Sequence, residues 1–433
     1  MTAATPATDR PDPVPPKRLR PRVRDGNEVV LLEGGAEYFA SLVAAIDAAE
    51  HEVHLETYIF AADESGLRVA AALARAASRG VAVKVLVDGY GTRTLAPEVE
   101  RRLAAAGVRL RVYAPVPRLL TFDRERLRRL HSKQACIDAR IAFVGGINLL
   151  DDLWDPNHGA LDHPRLDYAV RMRGPIVADV HAAMAGLWRQ VALGRLPSLT
   201  ERFRSATRHV VRPLAAAGAA VRAAVGRGRG GAPGAPDAPP GDVRAMLLLR
   251  DNFARRRTIE RAYLKAIGGA RREVLIANAY FFPGRRFRRA LREAARRGVR
   301  VRLLLQGRPE YVLPHLAAQA LYDGLLAAGV EIVEYHRSFL HAKVAVIDDW
   351  ATVGSSNIDP FSLLLAREAN VVVMDARFAA RLRERLLVSM AQGGRPVTDD
   401  DCASRPWHQR LRGWCATRVL RLGVRITGSG QRY

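Results

Sequence analysis

The chain has 433 residues, 48% of them apolar, with 68 Lys and Arg against 44 Asp and Glu, a formal net charge of +24. That length suits two or three domains and the apolar share excludes a wholly disordered basic protein. Three cysteines (Cys136, Cys402, Cys415) fit neither a disulfide framework nor a zinc spacing, and neither a bilayer-spanning run nor a targeting core is present, so a secreted or integral membrane protein is not expected.

Residues 1–26 are rich in Pro, Thr and Arg without hydrophobic periodicity, and are expected to be a disordered basic arm. The first ordered half is expected over 27–203. VVLLEGG is a strand and turn, YFASLVAAIDAAE an amphipathic helix, and EVHLETYIF a second strand. A helix near Leu67–Ser78 and the apolar strand VAVKVLVDG follow. This alternation predicts βαβ units and a parallel or mixed sheet. Residues 204–242 contain GRGRGGAPGAPDAPPGD and are expected to be a linker. A second half is expected over 243–396, with a helix in NFARRRTIERAYLKAIGGA and a strand in EVLIANAYFF, and a basic amphipathic tail over 397–433.

The two halves repeat. ALARAASRGVAVKVLVDGYG in the first is matched by ALREAARRGVRVRLLLQGR in the second, each behind a helix and a strand in the same order. Each also carries His-x-Lys followed by four residues and Asp: His131, Lys133 and Asp138 in the first half, His341, Lys343 and Asp348 in the second. Beyond each lies a turn of small residues (Gly145 and Gly146; Gly354, Ser355 and Ser356) and an asparagine, Asn148 or Asn357.

Only five of the 68 basic residues are lysine (Lys17, Lys84, Lys133, Lys265, Lys343), so the two in the motifs survive a strong arginine bias. On a strand, residues i and i+2 share a face, so each histidine projects with its lysine. An ammonium neutralises non-bridging phosphate oxygens, and an imidazole attacks phosphorus or moves a proton, so the pair suits phosphoryl chemistry. Backbone N–H groups of the small-residue turns and the Asn amides suit an anion. Asp138 and Asp348 fall an odd number of residues from their histidines, on the opposite strand face, and are expected to be structural members of the motif. Asp138 and Asn148 are ten positions apart and Asp348 and Asn357 nine, so the second hairpin is one residue shorter. That hints at a slightly remodelled second motif.

This constellation resembles the phospholipase D superfamily, whose motif is His-x-Lys-x4-Asp followed by Gly-Gly or Gly-Ser and Asn. LLEGGAEYF, EVHLETYIF, VDGYGT, RIAFVGGIN, LDYAV, FLHAKVAVID and SSNIDPFSLLLAREANVVV are similar, within it, to the shorter B-type bacterial cardiolipin synthases, which lack N-terminal membrane helices. The resemblance implies an α/β fold of two pseudo-symmetric phospholipase D-like α/β/α sandwich halves with one active site at their interface. It implies catalytic residues His131, Lys133, Asp138, His341, Lys343 and Asp348, with Asn148, Asn357 and Ser355 binding phosphate. Asp167 in LDYAV and Glu368 in AREANV match the acidic residues that orient the histidines.

The reaction implied is transfer of a phosphatidyl group from one phosphatidylglycerol to another through a phosphohistidine, with His131 as nucleophile and His341 as acid and then base. A phospholipase D-type hydrolase, a phosphodiesterase nuclease and a non-enzymatic lipid scaffold are the rival classes. The nuclease suits the charge equally well, whereas the subfamily strings favour lipid. No cofactor and no metal are expected, because lysines and histidines already supply positive charge. The expected partner is an anionic phospholipid membrane, with no nucleic acid and no obligate protein partner, and the expected place is peripheral, on the cytoplasmic side of the bacterial cell membrane.

In the tail, Trp407, Trp414, Val419, Leu420 and Leu422 alternate with Arg410, Arg412, Arg418, Arg421 and Arg425, which predicts an interfacial helix. Asp151 with Asp152, and Asp399 to Asp401, read as solvated turns. Histidines such as His158, His163, His315 and His336 lack any metal-ligand spacing.

Overall fold

A computed structural model describes residues 20–92, 95–115, 129–155, 157–194, 241–251, 255–359 and 366–426. Nearly all of the arm and linker expected from sequence lie outside these residues.

The first half opens with β1 (Arg24–Glu33), α1 (Gly34–Asp47), β2 (Glu52–Thr57), α2 (Glu64–Ser78), β3 (Ala82–Asp88), α3 (Pro97–Ala105) and β4 (Arg109–Tyr113). Then come β5 (Arg129–Leu130), β6 (Lys133–Ile137), β7 (Ile141–Gly145), β8 (Trp154–Asp155), β9 (Gly159–Ala160), β10 (Tyr168–Arg173) and α4 (Ile176–Ala192). The second half begins with β11 (Val243–Arg250), α5 (Thr258–Gly269), β12 (Glu273–Asn278), α6 (Arg285–Arg296) and β13 (Arg300–Gln306). It continues through α7 (Val312–Gln319), α8 (Tyr322–Leu326), β14 (Glu331–Tyr335), β15 (Lys343–Ile347), β16 (Trp350–Gly354) and β17 (Ala366–Met374). Last are α9 (Ala376–Gly393), β18 (Gly394–Val397), α10 (Asp399–Ala403) and α11 (Trp407–Ile426).

The apolar runs EVHLET and AVKVLVD become β2 and β3, buried on both faces and parallel to each other, as βαβ crossovers require. α2 starts where the Asp63 carboxylate accepts from the Gly66 N–H at 2.9 Å. A side chain at Gly66 would lie 1.9 Å from the Ala61 carbonyl oxygen, so only glycine fits that turn.

The strand order is β4-β3-β2-β6-β7-β10-β1 in the first half and β18-β14-β13-β12-β15-β16-β17-β11 in the second. Antiparallel pairing of β1 with β11, Asn27 opposite Val243, joins the halves into one sheet. The outer helices of each half cover one face: Leu42, Leu73 and Leu103 pack on Val53 and Val85, and Ile267 and Leu291 on Val274 and Leu303. On the other face, α4 and α9 share a single apolar cluster that includes Val180, Met184, Leu382 and Leu386. That common core fixes the halves relative to each other, so groups from both can form one site.

β1 begins at Arg24, inside the expected arm; β11 starts at Val243, ahead of the helix that was the first element expected in the second half; and β18, at the end of that half, pairs with β14. The missing residue of the second hairpin lies in its tight turn, because Lys133 to Ile137 pairs with Gly145 to Ile141 while Ile347 pairs directly with Trp350. Gly145 to Asn148 and Gly354 to Asn357 keep the same spacing, so the motif beside the histidine is not remodelled.

Candidate active site

Each histidine sits just before the strand that starts with its lysine and is held by the backbone of the opposite half. The His131 N–H donates to the Arg367 carbonyl at 3.0 Å, and the His341 N–H to the Leu166 carbonyl at 2.8 Å. The orienting carboxylates also cross over. His131 Nδ1 lies 3.0 Å from Glu368 Oε1, and His341 Nδ1 lies 2.6 Å from Asp167 Oδ2. Sequence found both acids, but linear order cannot reveal that each serves the other half's histidine. Both imidazoles therefore keep Nε2 for chemistry, and both line one cleft of about 420 Å³.

The two carboxylate environments differ by a compensating exchange. A side chain at Gly146 would lie 2.3 Å from Asp167 Oδ1, so the short carboxylate approaches only over a glycine. At the matching position the Ser355 hydroxyl donates to the Glu368 carboxylate, and its oxygen accepts from the Ala369 N–H at 3.1 Å. This corrects the expectation that Ser355 binds phosphate, because its hydroxyl is already engaged with Glu368. Arg250, 1% exposed, was not singled out from sequence. It donates to Ser356 at 3.0 Å and lies near Glu368.

Burial by itself would raise the Glu368 carboxyl, but His131, Arg250 and Lys133 outweigh it and hold the group below its ordinary value. Asp167 goes the other way: burial raises it to about 6, despite Lys343. Both imidazoles are pushed down, chiefly by burial. Glu368 opposes the fall at His131, while Lys343, Lys133 and Arg165 deepen it at His341. Burial pushes Lys133 down to about 7 and Lys343 to about 8. Lys133 Nζ donates to the His131 carbonyl at 2.8 Å, and Lys343 makes the same bond to His341. The lysines and imidazoles are thus buried cation-forming groups whose charged forms burial disfavours and an anion in the cleft would favour.

Asn148 and Asn357 line the cleft. Asn148 Oδ1 accepts from the Ile59 N–H at 3.2 Å, while Asn357 Oδ1 is buried with no hydrogen-bond partner among the described residues. Asp138 and Asp348 are not brought to the site. Asp138 accepts from the N–H groups of Glu50, His51 and Glu52 at 2.8–2.9 Å, at the far end of a strand spanning roughly 17 Å. Asp348 does the same for Arg271, Arg272 and Glu273. They tie the motif hairpin to the start of β2 or β12, the structural role their strand face predicts.

Asp152 is no solvated turn, since it accepts from the Gly35 N–H and burial raises it to about 6. Asp401 closes a capping box with Thr398. Glu52, His54 and His181 bring three metal-ligand-type atoms together at the start of β2, away from the cleft, a grouping their sequence spacing did not show. The second half has a Glu273, Arg302 and Arg383 ion cluster in the matching place, so the first-half group reads as its structural counterpart.

Residues 42–161 and 263–387, one stretch in each half, match the family described as "Cardiolipin synthase, PLD-like domain". The chain is 42% identical over 401 residues to cardiolipin synthase B of Escherichia coli K12, covering 92% of this chain and 89% of that one. It is 28% identical to the major cardiolipin synthase ClsA of Bacillus subtilis, covering 90% and 74%. In fold it is similar to the crystal structure of a phosphatidylserine synthase from Haemophilus influenzae, with TM-score 0.62, 13% identity, and 91% and 94% of the chains covered.

Proposed function

The chain belongs to the cardiolipin synthase family with phospholipase D-like domains, and from that premise we propose that it moves a phosphatidyl group from one phosphatidylglycerol to another, releasing glycerol. The observation that carries this reading is the pair of imidazoles in one cleft, each fixed through Nδ1 by a carboxylate of the opposite half.

His131 Nε2 attacks phosphorus while His341, protonated as the anionic phosphodiester arrives, gives its proton to the departing glycerol oxygen. The phosphohistidine carries positive charge on its imidazole, and ionised Glu368 stabilises it, which supports His131 as the nucleophile. His341, pushed further down, is the stronger acid once protonated. It then takes the proton of the second phosphatidylglycerol's free hydroxyl, whose oxygen displaces His131 and yields cardiolipin. Lys133, Lys343, Asn148 and Asn357 hold the phosphate oxygens through both halves of the reaction.

The partner is an anionic phospholipid surface and attachment is peripheral. The net charge of +24 supports this, as does the finding that no described helix is long and apolar enough to cross a membrane. Three free cysteines suit the cytoplasmic side.

The test is incubation of purified protein with vesicles of doubly labelled phosphatidylglycerol. One glycerol released per cardiolipin formed supports transfer. Phosphatidic acid as the sole lipid product would establish the hydrolase alternative instead.

A further inference from the structure

The catalytic groups repeat almost identically in the two halves, but the walls around them do not. Phe60 bridges Leu149 in the first half, and Phe281 bridges Ile358 in the second. These equivalent bridges set the register: Asn148 matches Asn357, Ile59 matches Tyr280, and Leu150 matches Asp359. The second half thus presents a phenol and a carboxylate where the first presents two aliphatic side chains.

Glu310, in the loop after β13, adds a second carboxylate to the same wall, and the Tyr280 hydroxyl donates to it. The loop after β3 offers Tyr90, Gly91 and Thr92 instead. Tyr280, Glu310 and Asp359 line the cleft that holds both histidines. Glu310 also lines an adjoining cleft of about 710 Å³, where His341 appears and His131 does not. The Ala279 N–H donates to the Ala342 carbonyl at 3.0 Å, so this wall begins beside His341.

A carboxylate offers several acceptor positions, so one that lines the cleft beside a partner it already has still favours a headgroup that brings hydrogen-bond donors. A glycerol headgroup brings hydroxyls on neighbouring carbons; a monohydric alcohol has no second donor. We propose that Glu310 and Asp359, with Tyr280 positioning Glu310, recognise the alcohol: they accept hydrogen bonds from the glycerol headgroup as it leaves and from the acceptor glycerol as it enters. The alcohol side of the site is then the His341 side. This inference rests on the phosphatidyl-transfer reading, and it breaks the symmetry that leaves the two histidines equivalent in sequence.

The experiment lets labelled glycerol compete with 1-propanol for the phosphohistidine formed from phosphatidylglycerol in mixed micelles. In either case the alcohol oxygen bonds to phosphorus, the bond from phosphorus to His131 breaks, and His341 takes the hydroxyl proton. The wild-type protein is expected to favour glycerol. Glu310→Gln and Asp359→Leu should each lower the ratio of labelled phosphatidylglycerol to phosphatidylpropanol by about tenfold or more. Tyr280→Phe should lower it less. Adduct formation from a donor with a good leaving group that carries no hydroxyl should persist in the variants at or above the wild-type rate, which also shows that they are folded.

A wild-type ratio near one, an unchanged ratio in both carboxylate variants, or loss of adduct formation in both overturns the proposal. No transfer to any acceptor by the wild-type protein overturns the phosphatidyl-transfer reading itself, a result distinct from these.

Discussion

At the residue scale, the site's ionisation follows from burying four cation-forming side chains beside two carboxylates. Lys133, pushed down to about 7, and Lys343, to about 8, must be charged to hold phosphate, so kcat/KM is expected to fall as pH rises through that range. It should also fall below about pH 6, where Asp167 takes up a proton and its hold on the His341 imidazole is lost. Bound phosphodiester raises both lysines, so the basic limb of kcat should lie at higher pH than that of kcat/KM. A kcat/KM flat to pH 10 would sink this electrostatic account. Asp138, with three backbone N–H groups on its carboxylate, separates stability from chemistry. Asp138→Ala should cost about 1–3 kcal/mol, read as a lowered Tm, while the folded fraction still forms the phosphohistidine adduct.

At the scale of elements, α11 is a helix with two working faces. Gly413, Ala416 and Leu420 seat it against Leu316 and Ala317 of α7 and Ala320 just beyond it, and Leu420 reaches the cleft of the histidines. Leu420 was expected on the lipid side and instead packs inward. Trp407, Leu411, Trp414 and Leu422 are exposed on the outer face, and Arg418 stacks 4.8 Å from the Trp414 ring. Beside α11, burial and crowding by Arg421, Arg292 and Arg285 lower Arg288, a like-charged cluster that an anionic headgroup would relieve. Each cation near an anionic surface contributes about 1 kcal/mol. Replacing Trp407, Leu411 and Trp414 with serine should lower binding to phosphatidylglycerol vesicles in a sedimentation assay by tenfold or more, with activity in detergent micelles preserved. Unchanged sedimentation would exclude α11 as the anchor. The amphipathic pattern of this helix was legible in sequence. Which face docks was not, because Ala416 and Gly413 acquire meaning only against the small residues of α7.

At the scale of the molecule, the duplicated motif revealed the two halves and the two histidines that meet in one cleft, because strand periodicity and spacing are local. The exchange of Asp167 and Glu368 between halves was not legible, nor was the burial of Arg250, since both depend on how two distant strands interlock. Because the lysines and histidines of both halves supply the positive charge, EDTA should leave transfer intact; activity lost to EDTA and restored by a divalent ion would contradict that.

The central claim is a single site in which the first half supplies the nucleophile and the second the acid. It is tested most directly by mass spectrometry of His341→Ala and His131→Ala proteins, each quenched after reaction with a phosphatidyl donor bearing a good leaving group, which needs no acid. The account predicts an acid-labile phosphatidyl adduct on His131 in the His341→Ala protein and none in the His131→Ala protein. An adduct on His341 in the His131→Ala protein would contradict it.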